Sequence, residues 1–103
     1  MSILMEFAIF PTDKGASVSE YVSKVINMIK NECNSYKLTA MGTIVETNSF
    51  EEALDILNKS YKILEQDSDR IYSSVKFDIR KSKVDRINNK IKSIEDKIGN
   101  VNK

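Results

Sequence analysis

Two apolar rhythms alternate along this chain, and their alternation predicts its elements. Residues 3–10, ILMEFAIF, form an apolar run broken only by Glu6 and closed by Pro11 and the turn-forming TDKG. A run of that length and composition is a central strand. Val18, Tyr21, Val22, Val25, Ile26 and Ile29 then follow at helical spacing, and Ser17 with Glu20 fits a capping box. A first helix is expected from the Ser17 cap to about Glu32. The same signature returns at Ser49 to Glu52, ahead of a stripe of Phe50, Ala53, Leu54, Leu57, Tyr61 and Leu64, which predicts a second helix ending near QDSD. Residues 70–80, RIYSSVKFDIR, switch to period two. Ile71, Ser73, Val75, Phe77 and Ile79 share one buried face, and Tyr72, Ser74, Lys76, Asp78 and Arg80 share the other, which is wet or faces a partner.

Between the helices, residues 36–48 read YKLTAMGTIVETN. A glycine inside alternating β-branched residues marks a turn. With Met41 and Gly42 as the two central turn residues, Leu38 faces Val45 and Lys37 faces Glu46, pairings that stabilise a sheet. Gly42 is then expected to supply a positive φ.

The order β-α-β-β-α-β is the ferredoxin-like plan, an α+β sandwich in which two helices cover one face of a four-stranded antiparallel sheet. The open face should carry Leu4, Glu6, Ala8, Phe10, Ile44 and Glu46. A third, C-terminal helix is expected over about 82–98, opened by Ser82 with Asp85 three residues on. Its apolar positions Val84, Ile87, Ile91, Ile94 and Ile98 are spaced 3, 4, 3, 4, a narrow seam suited to another helix or another subunit. Docking on its own domain is the alternative. The whole chain, 1–103, reads as one domain with its core over about 2–80, and the last residues should fray.

Composition narrows the chemistry. The formal charge is +1, from 16 basic and 15 acidic residues, which gives no footprint for nucleic acid or an anionic membrane. RNA recognition is further disfavoured because carboxylates stand where stacking rings would be needed. There is no histidine and one cysteine, so the commonest general base and metal ligand is missing and no intrachain disulfide forms. Cys33 is expected to pack near a helix end. No glycine-rich phosphate loop, zinc spacing or catalytic triad can be assembled, and no enzyme activity, cofactor or metal is expected. The first residues lack a basic leader, and no apolar stretch reaches membrane length, so a cytoplasmic protein is expected.

Polar groups set among apolar ones are what remain. Glu6, Glu46, Lys76 and Asp78 form either cross-strand salt bridges on a dimer-facing sheet or a site in which a carboxylate recognises a nitrogenous ring. Ser17 and Ser19 are either a cap and a solvated first-turn residue or donors to a small polar ligand. Met41 and Phe7 are either ordinary core or the wall of an apolar pocket.

FAIFPTDKGASVSEYV, YKLTAMGTIVE and DRIYSSVKFDIR resemble, in order and spacing, the signature blocks of the MTH1187/YkoF-like family of thiamine-binding proteins, also known as UPF0045 or DUF77. The resemblance covers nearly the whole chain. It implies a ferredoxin-like fold that pairs into dimers or tetramers and binds thiamine or its hydroxymethylpyrimidine moiety without catalysis, as a carrier, buffer or sensor. Carried over position by position, it implies Ser19, Met41, Thr43, Val45, Glu46, Lys76 and Asp78 as ligand-binding residues. Glu46→Ala or Thr43→Ala is then expected to weaken pyrimidine binding and leave the fold intact. The chain departs from the family pattern at Asn34-Ser35, before the second strand, and at Thr47, on the pocket rim. A structural or regulatory homo-oligomer without a ligand is the alternative function.

Overall fold

In the computed structural model, which describes residues 1–103, β1 spans Ser2–Pro11 and alternates buried and half-buried side chains along its length. The order continues α1 (Ser19–Glu32), β2 (Tyr36–Leu38), β3 (Thr43–Thr47), α2 (Phe50–Glu65), β4 (Ile71–Arg80) and α3 (Arg86–Ile98). The strands form one antiparallel sheet in the order β2-β3-β1-β4. This is the expected β-α-β-β-α-β plan with an added helix.

The core lies between the sheet and the two helices. Ile3, Met5, Phe7 and Ile9 of β1 and Val45 of β3 meet Val25 and Ile29 of α1 and Ala53, Ile56 and Leu64 of α2. Cys33 ends α1, buried, with its thiol donating to the Ser35 carbonyl at 3.2 Å. The opposite face carries Leu4, Glu6, Ala8, Phe10, Ile44 and Glu46, as the period of two requires.

Six local expectations are corrected. The hairpin pairs Tyr36 with Val45, Lys37 with Ile44 and Leu38 with Thr43, two residues out of the expected register, so its loop is Thr39–Gly42. A two-residue shift returns every side chain to the same face, and the apolar pattern therefore cannot distinguish the registers. The Thr39 side chain decides it: its hydroxyl donates to the Gly42 carbonyl at 2.8 Å and accepts the N–H groups of Met41 and Gly42 at 3.2 and 3.1 Å. Gly42 is not among the positive-φ residues. A Cβ there would stand 3.0 Å from the Phe7 carbonyl oxygen, so the glycine serves a close approach to β1.

The α1 cap is Val18, with no side-chain bond, in place of Ser17. On α2 the Ser49 cap forms as expected, accepting the Glu52 N–H at 3.1 Å, but the buried stripe is Ala53, Ile56, Ser60 and Leu64. Ser60 can be buried because its hydroxyl bonds back to the Ile56 carbonyl at 2.7 Å. Phe50, Leu54 and Tyr61 are left exposed. On β4 the faces alternate as expected, yet Phe77 and Ile79 are exposed, because β4 is an edge strand that the helices scarcely reach.

The last correction concerns α3. It begins at Arg86, after Asp85 in a left-handed conformation, and Ser82 takes no part in its start. None of its residues is buried; Ile94 and Ile98 are exposed. The radius of gyration, 14.9 Å, exceeds the roughly 13 Å of a compact chain of this size, as a projecting helix requires.

Candidate functional site

The seven residues expected at a ligand site fall into separate places. Val45 is fully buried in the core. Lys76, on the open face, is paired with Glu6 directly across the sheet at 2.9 Å. Lys76 is exposed and Glu6 half-buried, so this is the cross-strand salt bridge of the first reading, and a solvent-screened one.

Glu46 and Asp78 meet at the start of α3. The Glu46 carboxylate accepts the Ser2 hydroxyl at 2.5 Å and the backbone N–H groups of Arg86 and Ile87 at 2.9 and 3.2 Å. Burial acts to raise the Glu46 pKa; the Ser2 hydroxyl, the two amides and the Arg86 charge outweigh it and hold the carboxyl below its usual range. Arg86 in turn reaches the Ser2 hydroxyl and carbonyl at 3.0 Å each, the Asp78 carbonyl, and the Asp78 carboxylate at 3.2 Å. Three adjacent strands thus hold one helix end. Glu46 supplies the cap that α3 lacks in its own sequence.

Met41, Thr43 and the surroundings of Ser19 belong together. Of the two residues read as either core or pocket wall, Met41 is 88% exposed on the hairpin loop, whereas Phe7 is 3% exposed. The loop with its Thr39 clasp carries Met41 outward. Beneath it lies a pocket of 220 Å³, walled by Phe7 and Ile9 of β1, Val22 and Ile26 of α1, and Leu38 and Met41 of the hairpin. Val18, next to Ser19, stands at its α1 end; Ser19 itself is exposed and its carbonyl accepts the Ser23 hydroxyl. Only Thr39 and Thr43 bring hydroxyls to this lining, and no charged residue does. The loop occupies the Thr39 hydroxyl. Thr43, 6% exposed, is the polar group left for a guest.

A larger concavity of 520 Å³ lies at the other end of the helices, lined almost wholly by polar residues, among them Glu32, Glu52, Asp55, Lys59 and Asp85. Lys59 bridges Glu32 at 2.6 Å and Asp55 at 3.0 Å, and these bonds raise its pKa. A ring-shaped guest needs apolar walls with a few placed polar groups, and the smaller pocket has them. Sequence reasoning missed Ser2, Thr39 and Arg86. The roles of Ser2 and Arg86 depend on a contact 84 residues apart that no local period records, whereas Thr39 clasps residues two and three places on, a local turn that its hydroxyl could have signalled.

Comparison with known proteins agrees with this architecture. The family described as thiamine-binding protein matches residues 5–95. The chain belongs to the thiamine-binding protein family. Among relatives of this family, the UPF0045 protein MJ1052 of Methanocaldococcus jannaschii is 38% identical over 92 residues, 89% of this chain and 91% of its own. The crystal structure of MJ1052 superposes with a TM-score of 0.80, covering 90% of this chain and 95% of that one. A UPF0045 protein of Methanothermobacter thermautotrophicus is 26% identical over 98 residues, 93% of this chain and 99% of its own. A DUF77 domain from Bacillus cereus shares the fold at 23% identity, with a TM-score of 0.75 and 88% of each chain covered. No helix of the chain is long and apolar enough to cross a membrane.

Proposed function

We propose that this protein binds thiamine, or its hydroxymethylpyrimidine moiety, in the apolar pocket beneath the hairpin loop, without catalysing a reaction, as a cytoplasmic carrier, buffer or sensor. The observation that carries this reading is an uncharged pocket of 220 Å³ whose one available hydroxyl is Thr43. That volume lies below the roughly 300–1,000 Å³ of drug-sized sites, so the pocket suits one ring. A neutral aminopyrimidine can stack on the apolar walls and bond to Thr43, and the cationic thiazolium stays at the mouth, beside Met41. Membership of the thiamine-binding family supports the ligand class. Met41, Thr43 and Ser19 remain site candidates on this reading. Val45 belongs to the core and not to the pocket lining, and on this reading Glu46, Lys76 and Asp78 act elsewhere.

Calorimetric titration with thiamine and, separately, with hydroxymethylpyrimidine tests the proposal. Saturable binding of both with similar affinity is the expected result. No heat and no change in melting temperature with either would overturn it.

A second reading, a structural or regulatory homo-oligomer, is favoured by the uncovered isoleucines of α3 and the open sheet face. The two are compatible: a binding protein that assembles into a dimer or tetramer uses both features.

A further inference from the structure

Side chains are not the only polar groups that reach the pocket beneath the hairpin loop. β1 is an inner strand, with β4 on one side and β3 on the other, so its residues send their N–H and carbonyl groups to the two neighbours in turn. Thr12 donates its N–H to the Arg70 carbonyl at 2.9 Å, and the register sets Phe10 against Tyr72 and Ala8 against Ser74. Counted from Thr12, the alternation turns the backbone groups of Phe10 and Ala8 toward β4. Those of Phe7 and Ile9 face β3.

Phe7 meets Thr43 there. Ile9 meets no residue. The ladder between β1 and β3 stops at Phe7 and Thr43, and the position that would stand opposite Ile9 is Met41, which the loop carries outward with its N–H given to the Thr39 hydroxyl at 3.2 Å. No other group of the chain bonds to the N–H or the carbonyl of Ile9. Yet Ile9 is 7% exposed and lines the pocket. Buried backbone groups are almost always paired; here one rung of an inner strand opens onto a cavity of 220 Å³.

In a hydrogen-bonded pair the opposite residue answers both groups at once, with an acceptor for the N–H beside a donor for the carbonyl. An aminopyrimidine carries the same two groups on one edge: the ring nitrogen accepts, and the adjacent amino group donates. We propose that the main chain of Ile9 reads this edge, its N–H donating to the ring nitrogen and its carbonyl accepting from the amino group, so that the guest fills the rung that Met41 leaves open. The proposal rests on the ligand reading above and deepens it, because it assigns specificity to backbone atoms and leaves the Thr43 hydroxyl, on the adjacent rung, as a further contact. The class of guest is a flat ring with an acceptor nitrogen beside an amino donor. A ring without that donor leaves the Ile9 carbonyl desolvated and unpaired, which a site built for hydrogen bonding penalises heavily.

NMR on the full chain, free and saturated with hydroxymethylpyrimidine labelled with nitrogen-15 in the ring, tests this. In the free protein the Ile9 amide should exchange faster than the amides of Ala8 and Phe10, which β4 holds. On saturation it should slow by about tenfold or more, and a coupling across the hydrogen bond should link the Ile9 amide nitrogen to a ring nitrogen. By calorimetry, the same pyrimidine with a methyl group in place of the amino group should bind weaker by about tenfold or more. An Ile9 amide as slow as its neighbours in the free protein would overturn the proposal, since the rung would already be closed. Saturable binding with the Ile9 amide unmoved and no coupling, or with equal affinity for the methyl analogue, would overturn it and leave the ligand reading standing. No binding of thiamine or hydroxymethylpyrimidine would overturn both.

Discussion

The carboxylate of Glu46, on β3, accepts the backbone N–H of Arg86 at 2.9 Å across forty residues of sequence, and with it the first turn of α3. This bond assigns Glu46 to the attachment of a helix. Loss of Glu46 leaves helix amides and the Ser2 hydroxyl without their acceptor, which costs about 1–2 kcal/mol, the range of a removed cap. Glu46→Ala should therefore speed amide exchange at Arg86 and Ile87 and leave the β1 and β3 amides unchanged. Weaker pyrimidine binding in this variant with α3 intact would return Glu46 to the ligand site.

The same carboxyl makes the attachment of α3 sensitive to acid. Its folded pKa is held below the ordinary value of 4.5, so its contribution to stability is complete above that value and is lost as pH falls through the lower, folded pKa. Followed by NMR from pH 7 down to pH 3, the amide signals of Arg86 and Ile87 should move toward unfolded positions at the acid end, before the core signals change. Glu46→Gln should abolish that pH dependence.

Thr43 offers the cleanest test of the pocket. Thr43→Val keeps the shape and removes the hydroxyl, and one neutral hydrogen bond is worth about 1 kcal/mol, or roughly fivefold in affinity. Hydroxymethylpyrimidine should bind about fivefold more weakly by calorimetry, with the melting temperature of the free protein little changed. An unaltered affinity would remove Thr43 from the site.

Gly42→Ala places a methyl group 3.0 Å from the Phe7 carbonyl oxygen. That neighbour is backbone of a central strand and has little freedom to move, so the loop must shift instead. Overpacking of this kind costs about 1–3 kcal/mol, which should appear as a lower urea midpoint at unchanged slope. Because the loop roofs the pocket, ligand affinity should fall as well.

Ile87, Ile91 and Ile94 of α3 share a face on which Ile87 and Ile91 are half-buried and Ile94 is exposed. Ile91→Lys combined with Ile94→Lys keeps the Glu46 and Arg86 attachment and makes that face polar. Light scattering should report a lower molar mass for this variant than for the intact chain, and removal of residues 82–103 should do the same. Full-length stoichiometry in both would exclude α3 from assembly.

Local rhythm determined more of this fold than of its site. The 3.6-residue and two-residue periods are properties of short windows, so the strands, the helices, their order and the assignment of Glu6, Ile44 and Glu46 to the open face could all be read from the chain alone. The Ser49 cap was legible for the same reason, since its partner is three residues away. Tertiary structure alone decided the hairpin register, because a two-residue slip preserves every face and only the Thr39 clasp and the approach of Gly42 to Phe7 break the tie. It also decided the division of the seven expected site residues. Glu46 reads as a free carboxylate among apolar neighbours until the chain returns from β4 and lays two amides and a guanidinium against it. Met41 reads as core until a four-residue loop lifts it to the mouth of the pocket. Periodicity records which way a side chain points, whereas a site depends on which distant groups the folded chain brings to meet it.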